Sequence, residues 1–308
     1  MSVVLVTDGG DTIRDVVGCL RAQTIAHELE VVVVSPVAED EPALPHGPPF
    51  AGVRGVRVSA RASLEECRAA GVLAASGPVV FIGETHSYPA PELAESLLAA
   101  HGAGRAAVAP VIGNANPGIL SWANLLLDYG FWVGRDEAQE VARFPETNCS
   151  FRRVLLAAYG PELGALFEAR GALAENLRAA GHVCAIEPRA RLDHLNVATF
   201  RAWLPERYLS GRILGGTRAA RWSTARRLVY AGGIALVPPL HLARAVRASS
   251  RLERPVGRLL LLVPALLLGS LAWSLGELAG YLRGTGSASA RMVEYELHKS
   301  RYAPSGRP

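Results

Sequence analysis

Residues 79–91 read Val79-Val80-Phe81-Ile82-Gly83-Glu84-Thr85-His86-Ser87-Tyr88-Pro89-Ala90-Pro91. A short apolar run of strand length ends in an acid and a histidine separated by one residue, and a proline-marked turn then opens a new helix. In open α/β sheets, ligands collect just beyond the carboxyl ends of strands. Two metal-capable side chains at such a point suggest a site. The other reading is a strand end whose polar residues only meet water, and this segment alone does not separate the two.

The segments before it alternate between strand and helix. Val3–Val6 and Leu29–Val34 are continuous apolar runs suited to strands buried on both faces. Between them, Ile13, Val16, Val17 and Leu20 fall at helical spacing behind the turn Asp8-Gly9-Gly10-Asp11-Thr12. Residues 37–50 hold four prolines and several acids and are expected to be loop. Val53–Val58 reads as a short strand. Ser63 to Ala75 reads as a helix with Ser63 as cap and Glu66 in the third position, a capping box stopped by Gly77. Pro91 to Ala100 is expected to be the next helix and Ala106–Ile112 the next strand. This alternation argues for a mainly parallel, three-layer α/β sheet.

Further on, residues 119–150 read as aromatic and irregular, with Trp122, Tyr129, Phe131 and Trp132 packing a core or a lid. Phe167 to Ala180 reads as one helix ended by Gly181. Val183–Ile186 and Ala190–Leu192 read as two short strands, the second ending in Asp193-His194-Leu195-Asn196.

The chain has 308 residues, enough for one large domain or two modest ones, and 50% hydrophobic against 19% charged residues. The apolar excess lies in two late runs, Leu228 to Leu240 and Leu259 to Leu282. A net charge of +4 is carried almost wholly by arginine, dense from Arg201 onward as suits anionic head groups, and Lys299 is the only lysine. The four cysteines form no CxxC or zinc spacing and read as small buried hydrophobes. Ser2 begins a strand with no basic-then-apolar leader, so the folded part is expected in the cytoplasm. Because the arginines cluster beside apolar runs, a nucleic-acid partner is not expected.

Four patterns, in order, resemble family 2 glycosyltransferases of the GT-A fold. SVVLVTDGGDTIRDVVGCLRAQTIAHELEVVVVSP (2–36) looks like that family's first strand, helix and second strand, whose loop cradles the nucleotide base. RAAGVLAASGPVVFIGETH (68–86) resembles its Arg-Asn-x-Gly-x-x-x-Ala-x-Gly helix and the strand delivering a metal-binding Asp-x-Asp. ETNCSFRRVLLAAYG (146–160) is similar to its acceptor-side segment, and ENLRAAGHVCAIEPRARLDHLN (175–196) to its helix, strand and terminal histidine. The resemblance covers about Ser2 to Asn196. It departs at Ser35-Pro36 (an acid in the family), at Ala69 (asparagine), at Glu84-Thr85-His86 (Asp-x-Asp), and at Ala169 and Arg170, where a Glu-Asp pair is usual. The acid-x-His form, with a single glutamate near the helix start, resembles a subgroup of the family.

The resemblance implies a GT-A-type three-layer α/β/α nucleotide-diphospho-sugar transferase fold with C-terminal membrane-associated helices. It also implies an inverting transfer from a nucleotide-sugar donor. Glu84 and His86 would hold a divalent cation, Mn²⁺ rather than Mg²⁺ because magnesium prefers all-oxygen shells. Glu168 is the expected base, with Glu175 second. Thr7, Asp8, Arg68, His194 and Asn196 are the expected donor contacts. Each has a plainer reading: a solvated glutamate, a helix-surface arginine, a histidine tying a strand end to a loop. No Gln-x-x-Arg-Trp motif accompanies Trp203, Arg207, Tyr208 and Arg212, which implies transfer of one sugar without processivity.

The expected organisation is a GT-A-like domain over 1–200, a basic and aromatic interface segment over 201–227, a membrane-associated helical hairpin over 228–282 and a basic tail over 283–308. Residues 259–276 carry no formal charge and are just long enough to cross a core of about 30 Å. The linker before them holds Arg244, Arg247, Arg251, Arg254 and Arg258 against Glu253, and the tail is also basic, so the positive-inside rule favours an in-plane or re-entrant hairpin on the cytoplasmic leaflet, with a true span by 259–276 the second reading and a buried core helix the third. The acceptor is then a lipid-linked or envelope glycan at a bacterial inner membrane. The rival reading is a catalytically inactive nucleotide-sugar-binding or scaffold protein of an envelope polysaccharide system.

Overall fold

Runs of β-branched residues build the middle of the sheet in the computed structural model, which describes residues 1–36, 47, 49–252 and 255–303, with 255–259 described by backbone alone. β1 (Ser2–Val6) pairs in parallel with β2 (Glu30–Ser35), Val3 opposite Val31 and Leu5 opposite Val33. Between them runs α1 (Gly10–Arg21), burying Ile13, Val16, Val17 and Leu20 as their spacing predicts. β3 (Gly52–Arg57) flanks β2 in parallel, and after α2 (Leu64–Ala74) comes β4 (Val79–Ile82), parallel to β1. The α2 capping box is present: Glu66 N–H donates to Ser63 Oγ and Ser63 N–H to Glu66. α2 can lie against β1 and β2 because residue 71 is glycine. A Cβ there would overlap Val4 Cγ1 and come within 2.9 Å of Val34 Cγ2.

Downstream follow β5 (Ser87–Pro89), α3 (Leu93–Gly102), β6 (Ala107–Asn114), α4 (Ile119–Tyr129), β7 (Gln139–Glu140) and β8 (Cys149–Arg152). β8 is antiparallel to both β4 and β6, so the sheet is mixed rather than all parallel. The order among the described residues is β3-β2-β1-β4-β8-β6-β9-β5, with β7 antiparallel on β9 (Cys184–His194). Residues 119–150 are therefore more regular than expected. α4 has no side-chain cap to announce it, Gly118 standing at its N-cap.

Two other expectations change. The helix expected over 167–180 is broken into α6 (Leu163–Glu168) and α7 (Ala172–Ala179), after the short α5 (Arg153–Ala157). Gly171 sits between them at φ 87°, a left-handed conformation that glycine adopts without penalty. The two strands expected near 183–192 are one strand, β9, which runs through Pro188. The loop expected over 37–50 lies largely outside the described residues.

The chain divides into two compact units, residues 1–111 with 135–193, and residues 112–134 with 194–308. The division falls inside β6 and β9. The second unit contains α4 and the helices α8 (Phe200–Arg221), α9 (Thr224–Gly232), α10 (Val237–Ser249), α11 (Pro255–Arg283) and α12 (Ala288–Leu297). Its core gathers Ala123, Leu126, Trp203, Ala245 and Leu266.

Candidate metal and donor site

β4 ends at Ile82, and Gly83 hydrogen-bonds to Val4 O at 2.9 Å, carrying the β1–β4 pairing one residue further. A Cβ on Gly83 would lie 2.9 Å from Leu5 Cδ2, so a larger residue here would need the end of the Leu5 side chain to shift. Glu84, Thr85 and His86 then turn tightly into β5, with Ser87 N–H on Glu84 O at 3.3 Å. β5 lies next to β9 in the sheet, and Ala90 N–H donates to Arg191 O at 2.9 Å. That pairing brings the end of β9, His194, to the turn.

The three side chains meet there. Glu84, His86 and His194 are all buried, and one ligand atom from each lies within 4.8 Å of the other two. His86 Nε2 is 3.2 Å from Glu84 Oε2. Glu84 Oε2 also accepts from Asn148 Nδ2 at 2.6 Å and Ser87 Oγ at 3.1 Å, which fixes the carboxylate. Asn148 reaches it from a left-handed backbone at φ 53° just before β8.

His194 is oriented by Asn196. The Asn196 amide nitrogen donates to Asn114 Oδ1 at 3.1 Å and to His194 O at 3.0 Å, so its Oδ1 faces the ring, 2.9 Å from His194 Nδ1. An acceptor oxygen at Nδ1 places the ring proton there and leaves the Nε2 lone pair for a ligand. Asn196 N–H donates in turn to Asn116 Oδ1 at 2.9 Å, Ser121 Oγ donates to Asn114 and Asn116, and the Tyr129 ring stands 4.8 Å from the imidazole. Asn196 is thus built into the support of His194.

The donor set fits a divalent cation. Ligands about 2.0–2.2 Å from a metal lie roughly 3–4 Å from one another, within the spread of this cluster. One carboxylate and two imidazoles form a mixed oxygen and nitrogen set.

The remaining expected residues are placed less decisively. Thr7 is buried, and its hydroxyl shapes the turn after β1, donating to Gly9 O at 2.6 Å and accepting from Gly9 N–H at 3.0 Å. Asp8 is exposed beside it. Arg68 pairs with Glu65 at 3.1 Å on α2. Glu168 is the exposed last residue of α6, where Ser63 Oγ donates to it at 2.9 Å, and Glu175 lies on α7 rather than on the same helix. Glu146 was not singled out by its sequence. It accepts from Gly171 N–H at 2.7 Å, and burial raises its carboxyl to about 7 against the opposing pull of that bond and of Arg170. The sequence signal was its place two residues before Asn148, which only a known contact to Glu84 makes informative.

No protein-family model matches the sequence, and no curated protein matches it. Among solved structures it is similar to GalNAc-T7 with UDP, GalNAc and Mn²⁺, at 18% identity over 63% of this chain and a TM-score of 0.47. The chain spans 42% of the length of that structure. It is also similar to S. aureus TarS residues 1–349, at 13% identity over 90% of each chain and a TM-score of 0.45. These likenesses leave donor, acceptor and reaction to the chemistry of the site.

Proposed function

We propose that this chain is an inverting, non-processive glycosyltransferase of the GT-A type. It moves one sugar from a nucleotide-sugar donor to a lipid-linked or envelope glycan at the cytoplasmic face of a bacterial inner membrane. The observation that carries the reading is the buried Glu84–His86–His194 cluster. It lies where the four family-like segments, taken in order, put the metal motif and the terminal histidine.

Glu84, His86 and His194 would hold a divalent cation, Mn²⁺ by the donor set, whose chemistry when bound would be to neutralise charge on the leaving diphosphate. Glu84 is held in place by Asn148 and Ser87, and His194 by Asn196, so both ligands are aimed before donor arrives. Thr7, Asp8 and Arg68 are the proposed contacts to the nucleotide. The acceptor oxygen bonds to the anomeric carbon from the face opposite the diphosphate, the carbon–oxygen bond to phosphate breaks, and a carboxylate takes the acceptor proton. Glu168 is the proposed base, and Glu146 is the second choice. The nucleoside diphosphate leaves with the bonding pair.

A second reading has its own support. Glu168 is exposed and hydrogen-bonded to a helix cap, and Ala169 and Arg170 replace the family's acidic pair. A protein that binds nucleotide-sugar without turnover fits those departures. Transfer and hydrolysis measured with UDP-, GDP- and dTDP-sugars, with and without Mn²⁺, separate the two. Metal-dependent turnover supports the enzyme. Donor binding by calorimetry with no turnover on any donor overturns it.

A further inference from the structure

α11 is the one described helix that is long and apolar enough to cross a bilayer, from Leu260 to Arg283 at a mean hydropathy of 1.7. Its two faces differ sharply. Leu260, Leu268, Leu271, Leu275 and Leu282 are exposed along one side, a stripe about 33 Å long at 1.5 Å per residue. The other side is packed on α8 through glycines. A Cβ on Gly276 would run into Tyr208 O, and one on Gly211 into Trp273 O.

The packed side also carries ions. Glu277 is buried and accepts from Arg218 at 2.9 Å and from Tyr281 at 2.6 Å. Arg207 of α8, fully buried, makes a two-pronged bond to Asp128 of α4 at 2.7 and 2.6 Å and two further bonds to Glu206 at 2.9 and 2.8 Å. For α11 to span, α8 and these charges would have to enter the hydrocarbon beside it, at several kcal/mol for each centrally placed ion. Laid flat, the leucine stripe enters the acyl boundary and the ions stay within protein.

The neighbouring segment adds charge of one sign. α9 and α10 meet at a 46° bend, expose Val229, Leu236 and Leu240, and contain Arg226, Arg227, Arg244 and Arg247 with no acid between Ser223 and Leu252. Arg226 lies 4.2 Å from the centre of the Trp222 ring, which stacks on Tyr281 at 5.8 Å. Arginine with tryptophan and tyrosine is the composition of a bilayer interface.

We infer that the second unit docks in the plane of an anionic bilayer surface through the exposed leucine stripe of α11 and the arginine-bearing α9–α10 segment, without spanning it. The inference deepens the membrane part of the proposed function and is independent of donor chemistry, because the binding it predicts needs no turnover.

The test uses the full chain in flotation with phosphatidylcholine vesicles, with and without phosphatidylglycerol, and alkaline carbonate extraction of cell membranes. Expected are release by carbonate, preference for phosphatidylglycerol that weakens with salt, and at least a ~10-fold loss of binding in Leu271→Glu/Leu275→Glu. Arg244→Gln/Arg247→Gln, which leaves the apolar stripe intact, should lower binding about 30-fold at low salt on phosphatidylglycerol vesicles only. Thermal unfolding confirms that both variants fold, and the arginine pair decides if the leucine pair does not. Resistance to carbonate would show a span, and a stable dimer that ignores vesicles would show a second copy on this face. Either result overturns the inference, as does arginine-variant binding equal to wild type. Loss of vesicle binding with turnover intact on a soluble acceptor would leave the enzyme reading standing.

Discussion

Asn196 and Glu84 carry different burdens, and variants separate them. Glu84→Ala or His86→Ala removes a ligand and should abolish Mn²⁺ binding by calorimetry. Asn196→Ala leaves all three ligands in place but lets the His194 ring turn and change tautomer. Loss of such an outer partner costs about 10- to 100-fold in metal affinity. Asn196→Ala should therefore weaken Mn²⁺ within that range, whereas a wholly donor-contacting Asn196 would weaken nucleotide-sugar and leave Mn²⁺ unchanged. The base is decided in the same way. Glu168→Gln should lower kcat at least ~100-fold with donor affinity kept. If Glu146→Gln does so instead, and also removes a pH limb near 7, the base is the half-buried residue whose carboxyl sits at about 7. Glu84 and His86 were legible because they end an apolar run. The supporting Asn148 and Asn114 were not, since they arrive from distant strands and nothing local marks them.

Close approach of elements rests on particular glycines. In the first unit, Gly71→Ala should destabilise by about 1–3 kcal/mol, read from the denaturant midpoint, because Val4 and Val34 leave no room for a methyl. Gly18→Ala, with open space around it, is the control and should be neutral or slightly stabilising. In the second unit, Gly276→Ala should cost at least as much, since backbone oxygen of Tyr208 cannot move as a side chain can. An equal midpoint for Gly71→Ala and Gly18→Ala would refute this account of the α2 contact. Strand and helix order was readable over the described residues from Ser2 to Ile82, because each element is one uninterrupted pattern with its cap or stop in place, as at Ser63 and Gly77, whereas β5, expected as a turn, was not. Reading failed where one residue has two meanings. Pro188 looks like a strand end yet sits within β9, and Gly171 looks like tolerated helix yet splits α6 from α7. The α8–α11 contact was illegible for another reason: glycines as far apart in the chain as Gly211 and Gly276 reveal nothing until the helices meet.

Across the whole molecule, a buried and a half-buried histidine put an acid limit on both compact units. His101, in the first, has its ring nitrogens 2.9 Å from Arg105 O and 2.8 Å from Ser150 Oγ, and burial lowers it to about 4. His241, in the second, packs edge-on to Trp273 at 5.8 Å and is lowered to about 4 by burial and by the nearby Arg244 and Arg207. Each is neutral when folded at pH 6 and takes up a proton more readily when unfolded. The unfolded chain thus binds more protons below about 6.5, so the stability these groups contribute is complete above that pH and is lost as pH falls through about 4. Each proton difference adds a slope of up to about 1.4 kcal/mol per pH unit. Glu146 works in the opposite sense: raised to about 7 from a usual 4.5, it favours the folded chain below 4.5 and loses that contribution as pH rises through 7. Between pH 4.5 and 6.5 the two histidines should outweigh it, and stability should climb with pH. Denaturant midpoints over pH 4–8 check this. His101→Gln should flatten the acid limb of the transition that reports the first unit, His241→Gln that of the second, and Glu146→Gln should steepen the climb. If His101→Gln leaves the acid limb unchanged, the acid sensitivity lies in the carboxylates and the imidazole is not its source.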